Sequence, residues 1–292
     1  MKAVVFLNGG LGNQMFQYAL YASLKNQGYN AKVNKEFLKG NTQHNGYELD
    51  KIFGIPANSN PLDSFLVRCI YYLDIWSPNI FTCIGKYLIK LSRIKLITDK
   101  TIKTNLLKIS NYNIAYFCGY FQSANNFNNL ENIFEIFHFK EDKISKQSKE
   151  ILTLIKQNNA ISIHVRRGDY LSEQNQNLFG GICTKEYYQK AIEIIYSKVN
   201  NPHFFIFSND IEWCKKNINL PHIYYVNCNK GQDSWQDMFL MSKCKHNIIA
   251  NSTFSWWGAY LNENPQKIII SPSKLTNRGD SPDLFPENWI KL

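Results

Sequence analysis

The second half of the chain alternates short apolar runs with segments whose apolar residues recur at helical spacing. We predict strands over five of the runs, at 161–165, 204–207, 223–226, 247–250 and 267–270. Helices are predicted around them, over 141–157, 184–199, 210–217, 233–244 and 253–261. Strands that alternate with helices in this way are typical of a parallel, doubly wound sheet.

The first half begins with the same pattern and loses it in the middle. An apolar run at 3–7 is followed by Gly9, Gly10 and Gly12, which predict a flexible turn, and by helical spacing over 14–25. Two further strands are predicted, at 29–33 and 114–120, whereas residues 34–60 are polar and rich in turn formers. We therefore expect a second α/β unit with an irregular middle.

Residues 61–98 combine aromatic, aliphatic and basic side chains. Four large or apolar side chains recur at helical spacing and four cations follow them, namely Phe65, Cys69, Leu73, Trp76, Lys86, Lys90, Arg93 and Lys95. One interpretation is an amphipathic surface that contacts an anionic membrane. The other is a pair of core-packed helices with a solvated basic face, which Asp63 and Asp74 favour because they interrupt the charge pattern.

Length and cysteine content suggest a two-domain cytosolic protein. A chain of 292 residues favours two compact halves, and we place their boundary so that the domains span 1–157 and 158–292. The seven cysteines are odd in number and never form a Cys-x-x-Cys pair, so neither a disulfide framework nor a zinc site is expected. We also expect no signal peptide, because the first residues lack a long apolar region and a small-residue cleavage site, and no membrane span, because no apolar run reaches about 18 residues.

The formal charge of +10 predicts attraction to an acidic partner, which is a nucleotide diphosphate, an anionic membrane or a nucleic acid. Nucleic acid is not expected, because lysine and arginine are dispersed and no RNA-binding or helix-turn-helix pattern is present.

Two arginines follow the predicted strand 161–165, where open α/β sheets bind ligands. Arg166 and Arg167 precede Gly168, which lets the backbone turn, and then Asp169. Guanidinium groups bind phosphate oxygens in a bidentate manner and keep their charge, so they could neutralise a leaving diphosphate. The alternative is a surface ion pair between arginine and aspartate, and the position at a strand end favours phosphate binding.

Short polar side chains follow two further strands. Ser208, Asn209 and Asp210 could cap the next helix or hold a ribose or base, and both interpretations stay open. The segment 251–258 carries hydroxyls and backbone amides at a helix start, which suits an anion. The alternative is a helix cap with two core tryptophans, and both functions can hold at once because a cap has spare donors.

The glycine loop at 9–14 brings backbone close to a ligand and adds the carboxamides of Asn13 and Gln14. It departs from the dinucleotide fingerprint, because Met15 occupies the third glycine position. A nicotinamide-dependent oxidoreductase is therefore disfavoured, although Glu36 could serve as its ribose-binding acid. A lectin without catalytic activity is a further alternative, and it would not need the two arginines.

These segments together resemble the bacterial alpha-1,2-fucosyltransferase family, whose relatives include the alpha-1,6- and protein O-fucosyltransferases. The resemblance rests on five motifs spread over nearly the whole chain, GGLGNQMFQYA (9–19), GYFQSANNF (119–127), HVRRGDY (164–170), FSND (207–210) and NSTFSWWGAYL (251–261).

The resemblance implies a GT-B glycosyltransferase, with two Rossmann-like domains facing a cleft. Domain 158–292 would bind GDP-L-fucose and domain 1–157 would present the acceptor. The implied reaction is inverting transfer of L-fucose to the 2-hydroxyl of a terminal beta-galactoside, on an oligosaccharide or a lipid-linked glycan, in O-antigen biosynthesis. No metal or other cofactor is implied, and the sequence agrees because it lacks an Asp-x-Asp pair.

By resemblance, Arg167 contacts the beta-phosphate, Arg166 adds a second contact, and His164 lies near the guanine or ribose. The other expected donor-binding residues are Ser208, Asp210, Asn251, Ser252, Thr253 and Ser255. Asn13 points at the fucosyl–phosphate linkage, and Gln14 and Gln122 lie on the acceptor side. Asn209 stands where the family commonly has the first of two aspartates, so we prefer Asp210 as the site residue.

The general base is left open. Asp169 is the nearest candidate by motif, with Glu173 and His164 behind it, and the alternative is that Asp169 only orients Arg167. Cytoplasmic location is expected, with peripheral contact at the cytoplasmic face of the inner membrane as an open alternative, and the sequence does not define the oligomeric state.

Overall fold

The computed structural model describes residues 2–40, 44–75, 80–102, 109, 111–279 and 283–292, apart from the side chains of residues 74, 75, 80–82, 169, 171 and 174. The chain divides into two compact units, Met1–His138 and Phe139–Leu292. Each unit is built on a parallel sheet, so the predicted α/β class with two Rossmann-like domains is confirmed.

The first unit contains four parallel strands in the order β2-β1-β4-β3. They are β1 (Lys2–Phe6), β2 (Asn30–Asn34), β3 (Ile94–Ile97) and β4 (Ile114–Phe117). The helices described in this unit are α1 (Leu11–Asn26), α2 (Leu49–Phe53), α3 (Pro61–Ile75), α4 (Ile80–Leu91) and α5 (Ile133–Ile136).

Alternation along β1 explains why this sheet is covered on both faces. Ala3 and Val5 pack with Leu20 of α1, whereas Val4 and Phe6 point to the other face. That face packs against α3 through Val67 and Ile70. Successive side chains of a strand alternate between faces, so one short apolar run supports two helical layers.

The second unit contains six parallel strands in the order β10-β9-β8-β5-β6-β7. They are β5 (Asn159–Val165), β6 (Pro202–Ser208), β7 (Ile223–Val226), β8 (His246–Ile248), β9 (Ile269–Ser271) and β10 (Ile290–Lys291). If β5 to β10 are renumbered 1 to 6 and the sheet is followed from β7 to β10, the order is 3-2-1-4-5-6. This is the order of the dinucleotide-binding fold, whose ligand crevice lies where the order reverses. The reversal falls between β5 and β8.

Six helices accompany this sheet in the described part of the unit. They are α6 (Lys146–Gln157), α7 (Glu173–Phe179), α8 (Lys185–Lys198), α9 (Ile211–Asn217), α10 (Trp235–Lys243) and α11 (Thr253–Tyr260). Ile161, Ile163 and Val165 of β5 pack against α8, where Tyr188 and Ile195 are buried.

The observed division falls between His138 and Phe139, earlier than the predicted boundary at residues 157 and 158. Phe139 stacks on Trp235, with ring centroids 6.0 Å apart. Farther along, the Ser145 amide donates to Gln236 Oε1 at 2.8 Å, and the Ser148 hydroxyl donates to Asn229 Oδ1 at 3.0 Å. The segment 139–157 therefore packs as part of the second sheet unit.

Several predicted elements need correction. The glycine turn is confined to Gly9 and Gly10, because α1 already begins at Leu11 and Gly12 lies buried inside it. The strand predicted over 114–120 ends at Phe117. Within 61–98, α3 and α4 pack on the core as predicted, but they do so through Val67, Ile70 and Ile89, whereas Phe65 of the predicted apolar series is exposed. β3 follows the two helices, and Trp76 and the side chain of Asp74 lie outside the described residues.

Candidate functional site

The predicted phosphate-binding segments follow β5 and β8, the two strands that flank the reversal in strand order. The Tyr170 hydroxyl, from the loop after β5, donates to the carbonyl of Asn251, from the loop after β8, at 3.0 Å. The structure thus brings the arginine motif and the start of α11 together at the carboxyl edge of the sheet.

Arg167 is held by two neighbours from the β6–α9 connection. Its Nε donates to Asp210 Oδ2 at 3.4 Å, and its guanidinium carbon lies 4.5 Å from the centroid of the Trp213 ring. The side chains of Arg167 and Asp210 are 30% and 29% exposed, so solvent screens the pair and its contribution to stability is small. The contacts orient a guanidinium that keeps an exposed edge for an anion.

Asn209 fixes the backbone of the arginine loop. Its Oδ1 accepts hydrogen bonds from the amides of Arg167, at 3.0 Å, and Gly168, at 3.2 Å. A Cβ at position 168 would lie 2.8 Å from Asn209 Nδ2, which explains the glycine. The residue that the sequence analysis ranked below Asp210 therefore has a defined positioning role.

Asp210 and Ser208 show the capping function that the sequence left open. Asp210 Oδ1 accepts the amide of Trp213 at 3.1 Å and caps α9, while the Ser208 hydroxyl accepts the amide of Asp210 at 2.9 Å. Since the other Asp210 oxygen accepts from Arg167, this carboxylate links the cap to the arginine. Contact with a ribose or base stays a prediction for both residues.

The start of α11 is built by three side chains with internal partners. Ser252 Oγ accepts the amide of Phe254 at 3.3 Å, and the fully buried Ser255 donates its hydroxyl to the Ser252 carbonyl at 3.3 Å. Asn251 Nδ2 donates to the carbonyls of Phe179 and Leu275, both at 3.1 Å. Asn251 and Ser255 hold the loop, and partly exposed Thr253 opens the helix, whose amino end favours an anion.

The remaining predicted residues surround this point. The Arg166 guanidinium lies 5.7 Å from the Tyr170 ring, which stacks on Phe179 with centroids 4.4 Å apart. His164, at the end of β5, is 5% exposed and its ring lies 6.0 Å from that of Phe254.

Of the base candidates other than His164, Glu173 is the exposed first residue of α7. The side chain of Asp169 lies outside the described part of the structure; its backbone belongs to the 3₁₀ turn Gly168–Leu171.

In the first unit the order reverses between β1 and β4, and the structure brings Asn13 and Gln122 together there. Gln122 Nε2 donates to Asn13 Oδ1 at 2.9 Å, and both side chains are partly exposed. Gln14 instead is fully buried: its Nε2 donates to the carbonyls of Gly9 and Gly46, at 2.9 and 2.8 Å. Gln14 therefore holds the glycine loop from inside the unit.

Sequence reasoning missed Gln17, which joins the two loops at this reversal. Its Oε1 accepts the amide of Asn8, after β1, and its Nε2 donates to the carbonyl of Gly119, after β4, both at 2.9 Å. The residue is fully buried in α1. A glutamine three positions beyond Gln14, within an otherwise apolar helical face, was the available signal.

Two acidic residues were also missed. Asp99 accepts hydrogen bonds from the amides of Tyr120 and Phe121, at 3.0 and 2.6 Å, and fixes the turn after β4.

Asp237 lies in the first turn of α10, where burial raises its pKa to about 7. The hydrogen bond that Asn229 Nδ2 donates to it at 2.8 Å acts in the opposite direction and lowers the pKa.

The described residues contain neither a metal-binding cluster nor a membrane-spanning helix. No three His, Cys, Asp or Glu side chains lie close enough together to hold a metal ion. No helix there has the length and apolar character needed to cross a bilayer.

Comparison with known proteins places the chain among glycosyltransferases. The model of glycosyl transferase family 11 matches residues 92–292. An alpha-1,2-colitosyltransferase of Escherichia coli is 35% identical over 99% of this chain and 98% of its own. The galactoside alpha-(1,2)-fucosyltransferase 1 of Homo sapiens is 35% identical over 35% of this chain and 28% of its own.

Two further matches are more limited in extent or in identity. The O-antigen biosynthesis glycosyltransferase WbnK of Escherichia coli is 43% identical over 46% of this chain and 45% of its own. Among solved structures, the NodZ alpha-1,6-fucosyltransferase soaked with GDP-fucose aligns with a TM-score of 0.49 at 14% identity, covering 88% of this chain and 91% of its own.

Proposed function

The chain belongs to glycosyl transferase family 11, and from that premise we propose that it transfers L-fucose from GDP-L-fucose to the 2-hydroxyl of a terminal beta-galactoside. The reaction inverts the configuration of the anomeric carbon. The setting is O-antigen biosynthesis in the cytoplasm, with an oligosaccharide or lipid-linked glycan as the acceptor. The O-antigen glycosyltransferase among the relatives supports that setting.

One observation carries the proposal. A guanidinium fixed by Asp210 and Trp213 lies in a loop tied to the start of α11, at the ligand edge of a sheet with dinucleotide-binding strand order. A cation and a helix amino end at one edge suit a diphosphate, which carries the negative charge that the chain's net charge of +10 attracts.

The chemistry follows from a diphosphate as leaving group. The acceptor hydroxyl attacks the anomeric carbon from the face opposite GDP, a new carbon–oxygen bond forms, and the bond to the beta-phosphate oxygen breaks with its electron pair. Positive charge develops on the sugar and negative charge on the phosphate. Arg167, with Arg166, the hydroxyl of Ser252 and the amide of Thr253, stabilises that phosphate charge without reorganising, which is the larger catalytic term.

The hydroxyl proton leaves during or after attack, and a positioned carboxylate or imidazole that accepts it is commonly worth about 10² to 10⁴ in rate. Asp169, Glu173 and His164 are the candidates, and the proposal does not depend on which one acts.

The proposed transfer is independent of metal and of other cofactors. The absence of an Asp-x-Asp pair from the sequence supports this proposal, because such a pair commonly holds a divalent ion at a nucleotide diphosphate. The arginines then supply the positive charge that a metal would otherwise provide.

The relative named as a colitosyltransferase supports a second candidate, transfer of colitose from GDP-colitose, because it matches nearly the whole chain. Colitose is L-fucose without the hydroxyl at carbon 3. A site that hydrogen-bonds this hydroxyl rejects the deoxy sugar by about 10⁴ or more, whereas an apolar site built for colitose discriminates against fucose by only about 10².

The test measures GDP release and glycosylated product with purified protein, GDP-fucose, a panel of beta-galactosides and EDTA. We expect product in EDTA, and Arg167→Ala abolishes turnover while its circular dichroism matches that of wild type. Lys190→Gln, a change at an exposed cation on α8, is the matched control and leaves turnover unchanged. Activity of Arg167→Ala within a few-fold of wild type contradicts the phosphate role.

The same assay separates the donors. Competition between GDP-fucose and GDP-colitose gives the ratio of their kcat/KM values, and fucose transfer predicts a ratio well above one. Preference for GDP-colitose supports the second candidate. Turnover of neither donor, with no GDP binding by calorimetry, rejects the proposed activity itself.

A further inference from the structure

Helix α3 carries apolar side chains on two opposite faces. Its inner face packs on the first sheet through the buried residues Val67 and Ile70. Its outer face presents apolar and aromatic side chains to solvent, namely Leu62, Phe65, Leu66 and Tyr72. Phe65 is 64% exposed. A surface helix of a globular protein normally keeps its outer face polar, so this face lacks the usual composition.

Helix α4 repeats this arrangement. Ile84, Tyr87, Leu88 and Leu91 recur at the three- and four-residue spacing that defines one helical face, and all are exposed, with Leu88 at 58%. The opposite side packs inward: Ile89 joins the core cluster with Val67, and a Cβ on Gly85 would lie 3.0 Å from Leu73 of α3. The two helices therefore form one packed layer with an apolar outer surface.

The apolar surface is concentrated in one place. Nine of the twelve large hydrophobic side chains that are exposed in the described part of the chain belong to α3 and α4. Single exposed hydrophobic residues are ordinary in soluble proteins, but a contiguous exposed patch marks a contact with a protein or a membrane.

Positive charge borders the patch. Lys86 and Lys90, one turn apart on the flank of α4, are exposed, and so is Arg93 just beyond the helix. The sequence contains no aspartate or glutamate between residues 80 and 97. Of the two acidic residues on α3, Asp63 is turned inward, where its Oδ1 accepts from Lys2 Nζ and the Tyr116 hydroxyl, at 3.3 and 2.9 Å; the side chain of Asp74 lies outside the described residues.

We propose that the outer surface of α3 and α4 docks on an anionic lipid bilayer at the headgroup level. The leucine, isoleucine and phenylalanine side chains enter the boundary between headgroups and acyl chains, and the tyrosines lie at the interface. Lys86, Lys90 and Arg93 face the anionic headgroups. This attachment is peripheral, and it is independent of the sugar donor and acceptor.

Charge complementarity favours a lipid surface over a second copy of the chain. A symmetric contact between two copies would bring the same patch together and would oppose like charges. An anionic headgroup layer instead attracts the lysine and arginine side chains beside the patch. Each lysine or arginine near such a surface strengthens binding about fivefold.

The test is flotation of the full chain with vesicles of phosphatidylcholine alone or of phosphatidylcholine mixed with phosphatidylglycerol. We expect binding to the mixed vesicles that exceeds binding to phosphatidylcholine by more than tenfold and falls at high salt. The triple variant Phe65→Ser, Leu88→Ser, Leu91→Ser lowers binding at least tenfold. The double variant Lys86→Gln, Lys90→Gln lowers it about 25-fold, the product of two fivefold terms.

Matched controls are Tyr196→Ser, which removes an exposed aromatic from α8, and the pair Lys185→Gln, Lys190→Gln on the same helix. They bind like wild type, and circular dichroism checks that every variant is folded. Equal binding of wild type and the triple variant overturns the proposal. A second outcome also overturns it: the wild type does not bind vesicles but self-associates in sedimentation equilibrium, and the triple variant does not self-associate. That result identifies a second copy of the chain as the partner.

Discussion

Asn209→Ala offers a sharp test of how the arginine loop is positioned. The substitution removes one acceptor, Asn209 Oδ1, and with it the hydrogen bonds from the amides of Arg167 and Gly168. A net hydrogen bond is worth about 0.5–1.5 kcal/mol, so two correspond to about 1–3 kcal/mol, or about fivefold to 150-fold in rate. Because Asn209 is exposed and water replaces part of the loss, we expect the lower end, about five- to tenfold in kcat/KM.

The assay is donor-dependent turnover at fixed acceptor, with unfolding temperature recorded in parallel. Asn209→Asp keeps the acceptor oxygen and retains activity within about threefold, since a charged acceptor binds amides at least as well. Asn264→Ala removes two comparable local hydrogen bonds in the loop before β9 and leaves kcat/KM unchanged. If Asn209→Ala matches wild type, or if Asn264→Ala loses as much activity, the positioning role is wrong.

Three further predictions concern stability. Gln17→Leu leaves the Asn8 amide and the Gly119 carbonyl without their buried partner, so we expect the free energy of unfolding to fall by about 2–6 kcal/mol in urea titrations. A loss of less than about 1 kcal/mol contradicts the role of Gln17 in joining the two loops. Asp237 has a folded-state pKa raised by burial to about 7, so its contribution to stability is present at low pH and lost as pH rises through about 7. Asp237→Asn therefore reduces the fall in unfolding temperature between pH 5 and pH 8, and identical pH profiles refute the assignment. Gly258→Ala places a Cβ 2.9 Å from that of Met241 between α11 and α10 and costs about 1–3 kcal/mol, whereas unchanged stability shows that the helices can separate freely.

The second unit was predictable because its local signals agree with one another. The strand over 223–226 is observed with the predicted bounds, and the helices predicted from Thr184 and Asp210 begin directly after those residues, which cap them. A buried parallel strand has a continuous apolar sequence, and a capping side chain precedes the first turn of a helix. Each of these two signals is contained within a few neighbouring residues. The helix predicted from residue 141 begins instead after Ser145, its observed cap.

Edge elements and long-range contacts were not predictable in the same way. β3 lies at the edge of its sheet and contains Lys95, and β10 has only two residues, so neither forms a clear apolar run. Gln17 acts on Gly119, which is 102 residues away in sequence. At the candidate site, the strand-end arginines and the cap at Ser252 could be identified from the sequence. The internal partners of Gln14 and Asn251 could not, because they depend on the folded positions of distant carbonyls.

A crystal structure of the chain with GDP tests the central claim most directly. We expect the beta-phosphate within hydrogen-bonding distance of the Arg167 guanidinium, the Ser252 hydroxyl and the Thr253 amide, at the carboxyl edge between β5 and β8. Difference maps from crystals of Arg167→Ala soaked under the same conditions should lose that density. A diphosphate bound elsewhere, with Arg167 still engaged only by Asp210 and Trp213, would contradict the account.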